Sequence, residues 1–219
     1  MYNLSILIPT HNRPRLFERA IESIYKHKPQ MNIEVVVNND TCDIDEHHST
    51  IDTRYYYNKF DDISDIYKFL YQKARGEYIM YLEDDDYMVN GFSALRLDDK
   101  FSLHFIEYLP DVDILTDSDN TTYTNIVSIN RELRDIRDTA EFISMFSNRY
   151  FQLSQLIIRN NGAIKFPQGN SICNDYILFQ TLASTHNTIK YIPRPMWRQT
   201  TDGKDNISFT NLNYDTRFC

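Results

Sequence analysis

Glycine is scarce in this chain, five of 219 residues, and none falls in a run that would form a glycine-rich phosphate loop. The three cysteines, Cys42, Cys173 and Cys219, are odd in number and have no metal-ligand spacing. That argues against a disulfide framework or a structural zinc site and fits a reducing cytosol. Basic residues are outnumbered: 23 Lys and Arg against 31 Asp and Glu give a formal charge of -8. This is a poor footprint for a surface that neutralises nucleic-acid phosphates. No apolar stretch approaches the ~18 residues that cross a bilayer. The opening MYNLSILIPTHN has neither a basic leader region nor an apolar run long enough for a signal peptide. A soluble cytoplasmic protein is therefore expected, one that would reach a membrane-surface acceptor peripherally, from outside the bilayer. Frequent Asn, Ile, Tyr and Lys suggest an AT-rich bacterial or phage genome.

What is present is core-forming material, 42% hydrophobic and 14% aromatic. Short apolar runs alternate with helical patterns and no repeat interrupts them, which predicts an α/β domain. Leu4–Pro9 reads as a strand covered on both faces. The helix after it places Leu16, Phe17, Ala20, Ile21 and Ile24 on one face, with Pro14 in the first turn behind an Asn12 or Arg13 cap. Ile33–Val37 and Arg54–Tyr57 read as strands. A helix with Ser64 as cap turns Ile66, Phe69, Leu70 and Lys73 or Ala74 inward and ends at Gly76, and YIMYL, residues 78–82, is the next strand. The order β-α-β-β-α-β predicts a parallel sheet. Further on, FSLHFIEYL reads as helical, 112–116 as a strand, DTAEFISMF as helical and Phe151–Arg159 as a strand. DYILFQTLAS reads as a helix with Ile177, Leu178 and Leu182 inward, and Ile189–Pro193 as the last strand. From Thr200 onward the polar chain reads as mobile.

The segment directly behind YIMYL holds Glu83, Asp84, Asp85 and Asp86. Four adjacent carboxylates repel one another, and ionised groups gathered at the carboxyl end of a parallel strand, where open α/β sheets bind ligands, need a counter-charge. A divalent cation, Mn²⁺ or Mg²⁺, supplies one, because both ions take carboxylate and phosphate oxygens. Other acidic pairs, Asp61–Asp62 and Asp98–Asp99, read as solvated turns.

Three segments in order, SILIPTHNRPRLFERAIESI, EVVVNND and GEYIMYLEDDDYM, resemble the family 2 glycosyltransferases of the GT-A fold. Later, NDYILFQ and IKYIPRPMWRQ…NIS resemble that family's Glu-Asp-Tyr-x-Leu segment and final strand and loop. The resemblance implies one GT-A domain over residues 1–219, with a Rossmann-like, mostly parallel sheet flanked by helices. Its residues 1–88 would bind the nucleotide sugar, and 89–219 would bind the acceptor and carry a C-terminal loop. It further implies transfer of a sugar from a nucleotide sugar, most simply UDP-linked, to a hydroxyl with inversion. Pro9 and Thr10 would line the nucleotide pocket, with Asn12 and Arg13 following them, and Asp40 would accept from uracil. With the motif counted as Glu83-Asp84-Asp85 directly after Leu82, Glu83 would be its first member in the nucleotide-sugar site, Asp84 would lie near ribose and sugar, Asp85 would bind the metal with Asp84 and Asp86 beside it, and Asp175 would be the general base; counting it as Asp84-Asp85-Asp86 shifts the motif by one. Polysaccharide, lipid-linked glycan, protein and a modified DNA base all stand as acceptors.

The chain departs from the family pattern in several places. Thr41-Cys42 stands for Gly-Ser, and Tyr67-Lys68 for Arg-Asn, leaving Lys68 as a point charge toward the diphosphate. Asn174 stands for the Glu before the base. No His follows the last strand, where Arg198 is assigned to the diphosphate instead. The Tyr67 and Asn174 departures motivate an alternative, a nucleotide-sugar-binding module without catalysis. A nucleotidyltransferase is disfavoured by the missing glycine-rich loop. His11 reads as a packed ring, His47 and His48 as solvated, and Trp197 and Cys173 as core.

Overall fold

The computed structural model describes residues 2–41, 44, 46, 50–109, 152–162, 164, 166, 177, 178, 181, 182, 185, 186 and 188–200. Among these, eight strands form one sheet: β1 (Tyr2–Thr10), β2 (Ile33–Asn39), β3 (Asp52–Tyr56), β4 (Gly76–Tyr81), β5 (Tyr87–Met88), β6 (Leu103–Leu109), β7 (Leu156–Arg159) and β8 (Ile189–Arg198). Helices α1 (Pro14–Lys26) and α2 (Ile63–Lys73) pack against it. The strand order is β3-β2-β1-β4-β7-β6-β8-β5. The first four strands are parallel. β7 runs antiparallel to both β4 and β6, β8 is parallel to β6, and β5 is antiparallel to β8.

The continuous apolar runs of β1, β2 and β4 follow from their being covered on both faces. Side chains alternate across a strand. Leu4, Ile6 and Ile8 meet Phe17, Ala20, Ile21 and Ile24 of α1 on one face. Leu7, Val36, Ile79 and Tyr81 meet Tyr67, Leu70 and Tyr71 of α2 on the other. Pro14 opens α1 as expected, and Arg13 is its N-cap by backbone position, with no side-chain cap bond. In α2 the cap is Asp62, whose carboxylate accepts from the Ser64 N–H. Ser64, predicted as the cap, lies inside the first turn. The inner face of α2 is Tyr67, Leu70 and Tyr71; of the predicted stripe Leu70 is buried, Ile66 and Ala74 pack partly buried against the same cluster, and Phe69 is not among the buried residues.

Close backbone approach fixes two glycines. A Cβ on Gly76 would lie 2.6 Å from Ser5 N, where β4 starts beside β1. One on Gly91 would lie 1.9 Å from the Pro195 carbonyl oxygen.

Further expectations are corrected. FSLHFIEYL is strand β6, not a helix. β8 continues past Pro193 to Arg198, and the prolines are accommodated by register shifts around Glu107 of β6. Within Phe151–Arg159 the strand is Leu156–Arg159, preceded by a 3₁₀ turn at Leu153–Gln155. Leu178 and Leu182 are buried as expected, whereas Ile177 is 39% exposed. The elements predicted over 112–116 and in DTAEFISMF lie outside the described residues.

Candidate active site at the carboxyl ends of the parallel strands

β1 ends at Thr10, β2 at Asn39 and β4 at Tyr81, so residues 10–13, 40–41 and 82–86 gather at one end of the sheet. β4 hands over to a turn, in which the Asp86 N–H donates to the Glu83 carbonyl. This turn buries three carboxylates: Asp84 is 4%, Asp85 8% and Asp86 3% exposed.

Each carboxylate has internal partners. Thr10 Oγ1 donates to Asp84 Oδ2 at 2.8 Å, and the His11 backbone N–H also donates to Asp84. Arg13 Nη1 bridges two residues, 3.0 Å from Asp84 Oδ1 and 3.3 Å from Asp85 Oδ2. The Thr200 N–H donates to Asp86 Oδ1 at 3.1 Å, and Tyr67 Oη donates to Glu83 Oε1 at 3.0 Å. Arg19 Nη2 donates to the Asp85 carbonyl at 2.6 Å and to Thr200 Oγ1 at 2.9 Å, and its guanidinium lies over the Tyr87 ring.

Among the described residues these four carboxylates meet two guanidiniums, and Arg19 bonds a carbonyl and a hydroxyl oxygen there. Burial dominates the acidities of the turn. Burial pushes the Asp84 carboxyl up, against the opposing pull of Arg13 and Thr10. Burial, then the charge of Asp85, pushes Asp86 well above the ordinary carboxylate range, and the Thr200 N–H opposes this only in part. Tyr108, stacked on Trp197 with ring centroids 4.8 Å apart, is pushed up to about 12 by burial and by Asp86.

Asp40 joins this cluster through the end of β1. Its Oδ1 lies 2.6 Å from His11 Nδ1, and the preceding residue, Thr10, holds Asp84. His11 is not the packed ring expected: its side chain is 72% exposed. Between the two, Asn12 takes a left-handed φ of 50°, sparsely populated outside glycine and asparagine, and its N–H donates to Thr41 Oγ1. Thr41 in turn donates from both N–H and Oγ1 to Asn39 Oδ1. Thr41 thus shapes the turn that follows β2.

Pro9 is buried in β1 opposite Asn38 of β2. Lys68 is exposed on α2, and its neighbour Tyr67 makes the contact with the acidic turn. Arg198 ends β8 opposite Tyr87. Trp197 is fully buried, as expected of a core residue. Asp175, with Asn174 and Cys173, lies outside the described residues, as do Cys42, Cys219, His47 and His48.

The sequence reading missed Arg19 and Thr200. Thr200, read as the start of a mobile tail, is 6% exposed and held by Asp86 and Asp85. No local signal marks either residue, because Arg19 and Thr200 meet across 181 positions.

Among the described residues no three His, Cys, Asp or Glu side chains converge as a metal-ligand cluster. The three aspartate carboxylates of the turn are nonetheless buried oxygen donors. That suits a hard cation held by one or two carboxylates and completed by phosphate oxygens, not by a protein-only cage.

The fold is that of the GT-A glycosyltransferases. Residues 1–349 of S. aureus TarS in complex with UDP-GlcNAc superpose with a TM-score of 0.68 at 14% identity, over 94% of this chain and 60% of that one. The same S. aureus protein with UDP gives 0.61 at 13% identity. A mannosyltransferase from Pyrobaculum calidifontis, in complex with GDP-Man and Mn²⁺, gives 0.61 at 13% identity over 95% of this chain and 59% of that one. The chain thus spans about 60% of the length of these solved relatives. No curated protein sequence matches the chain. Residues 5–92 match the family described as Glycosyl transferase family 2, and that match runs from β1 through the acidic turn to the glycine that packs against β8. The fold expected from the sequence is therefore borne out as GT-A, and the family 2 likeness extends over residues 5–92.

Proposed function

We propose that the protein transfers a sugar from a nucleotide sugar, UDP-linked, to an acceptor hydroxyl with inversion at the anomeric carbon. The observation that carries this reading is the meeting of Thr10, Arg13 and Asp84 at the carboxyl ends of β1 and β4, with Asp40 tied to the same strand end by His11. Two solved relatives of the same fold hold UDP-GlcNAc and GDP-Man, which supports a nucleotide-sugar ligand.

In this reading Asp40, beside Pro9 and Thr10, accepts from the uracil ring. Glu83 and Asp84 orient ribose and sugar, and Asn12 holds the turn that brings these groups together. Arg13, with Lys68 and Arg198, addresses the diphosphate. A divalent ion, Mn²⁺ or Mg²⁺, held by Asp85 with Asp84 and Asp86 beside it, would neutralise charge developing on the leaving diphosphate. Asp175 removes the acceptor's proton as the hydroxyl attacks, a general-base role for an ionised carboxylate. A single displacement of this kind inverts the anomeric centre. The acceptor is a polysaccharide, a lipid-linked glycan, a protein or a modified DNA base; among the described residues no helix is long and apolar enough to cross a membrane.

The test is release of UDP from a panel of UDP-sugars in the presence of Mn²⁺. Turnover with one of them, abolished by Asp175→Asn, supports the reading. Tight binding without turnover, unaffected by Asp175→Asn, would instead identify a nucleotide-sugar-binding module.

A further inference from the structure

Arg13 holds a position a metal ion would need. One nitrogen of its guanidinium reaches Asp84 Oδ1 and Asp85 Oδ2 together, and Thr10 occupies the other oxygen of Asp84. A cation entering between these two carboxylates must displace that nitrogen, since both positive charges cannot crowd the same oxygens. The displacement does not undo helix α1. Arg13 caps it through its backbone carbonyl, which accepts from the Phe17 N–H, while its side chain makes no cap bond. A guanidinium leaving two carboxylates has an equivalent destination in a diphosphate, whose paired oxygens match its fork.

We propose that Arg13 is an exchangeable counter-ion that couples metal binding to nucleotide binding. Without donor it neutralises Asp84 and Asp85. When a nucleotide diphosphate arrives, the guanidinium moves onto its oxygens and leaves the two carboxylates to the cation. Metal alone then binds weakly because it must displace Arg13 from both carboxylates, and metal with nucleotide binds strongly because the diphosphate replaces the bonds Arg13 gives up. By thermodynamic reciprocity each ligand raises the affinity for the other by the same factor. The proposal rests on the donor-site reading above and adds a positioning role that this reading does not require.

The test is calorimetric titration of the intact chain with MnCl₂ alone, with UDP alone, and with each in the presence of the other. Wild type, Arg13→Gln and Arg13→Lys are compared, with circular dichroism confirming the fold. A charge-assisted hydrogen bond contributes enough to set the scale at about tenfold. Arg13→Gln should bind Mn²⁺ alone about tenfold tighter and UDP alone about tenfold weaker, and the mutual enhancement should shrink. Arg13→Lys should change both affinities in the same directions by less, and it carries the test if Arg13→Gln does not fold. Opposite signs are the signature, because a residue that merely scaffolds the site would weaken both ligands together. Parallel weakening, or no change in a wild type that binds both ligands cooperatively, overturns the proposal while leaving the donor site standing. A wild type that binds neither ligand overturns both.

Discussion

The two ends of the parallel sheet treat buried acid in opposite ways. At the amino ends Glu34 is fully buried, yet it accepts from Ser5 Oγ, from the Arg75 N–H and Nε, and from Arg54 Nη2. Arg75 reaches on to Asp52, which also accepts from the Tyr2 hydroxyl. Burial alone would push the Glu34 carboxyl up, but these donors together pull it below its ordinary value. At the carboxyl ends Asp84 and Asp86 are just as buried, and their carboxyls are pushed up. One pole ties β1, β2, β3 and β4 together with every charge answered. The other holds carboxylates whose burial outweighs the donors around them, the kind of perturbed acidity that gathers at functional sites.

Substitutions at the two poles should therefore diverge. The largest effect is expected for Asp85→Asn, which should lower UDP release from the preferred UDP-sugar by about a thousandfold, some 4 kcal/mol of transition-state stabilisation. Retention of most of the activity would remove Asp85 from the metal seat.

Next in size is Glu34→Gln. It leaves the half-exposed Arg75 and the more buried Arg54 without their counter-ion. The cost should be about 2–3 kcal/mol, at the lower end for a broken buried pair because water reaches Arg75. Urea denaturation measures it. A group with a depressed folded pKa contributes stability above its unfolded value, about 4.3 for glutamate. It loses that contribution as pH falls through the folded value. The variant should therefore also lose part of the wild type's stability drop below about pH 4.3.

His104 gives a smaller, pH-dependent effect. It is buried, its Nε2 accepts from the Asp98 N–H, and its ring sits edge-on to Tyr78. Burial first, then the charge of Lys190, lowers it to about 4. The unfolded chain binds the proton more readily, so stability should fall as pH drops from about 6.5 towards 4, with a slope of up to about 1.4 kcal/mol per pH unit. His104→Gln should flatten that slope, and an unchanged slope would place its origin elsewhere.

The smallest expected effect has the opposite sign to that at Glu34. With metal chelated, Asp86→Asn keeps an oxygen for the Thr200 N–H and removes a buried charge. It should raise the melting temperature by about 2–4 °C, roughly 1 kcal/mol for a chain of this size. A fall would erase the contrast between the poles.

The half of the fold around α1 and α2 was legible because its strands are uninterrupted apolar runs, a pattern that sandwiching between two helical layers demands. β6 was not. Phe101, Leu103, Phe105, Ile106 and Leu109 satisfy a helical period as readily as an extended one, and only pairing with β7 and β8, remote in sequence, decides between them. β8 was cut short at Pro193 because proline ordinarily ends a strand, and the register shift against β6 that admits it has no local signature. At the site, Asp84–Asp86 were legible as adjacent charges behind an apolar strand, and Arg13 as a residue beside the Thr10 turn. Arg19 and Thr200 were not, since a charged helix residue and a polar residue after a strand look like solvated surface until the fold joins them. His11 was misread for a related reason: only the parallel pairing of β1 and β2 sets it opposite Asp40.

On the proposed reading, the acidic turn after Leu82 is completed by a cation and a nucleotide together. The most direct measurement is the melting temperature with Mn²⁺, with UDP and with both, where a ligand at about 100 times its Kd adds about 2.7 kcal/mol. A joint shift larger than the sum of the separate ones, abolished by Asp85→Asn, is the result expected. Shifts that simply add, or a joint effect that survives Asp85→Asn, would contradict the account.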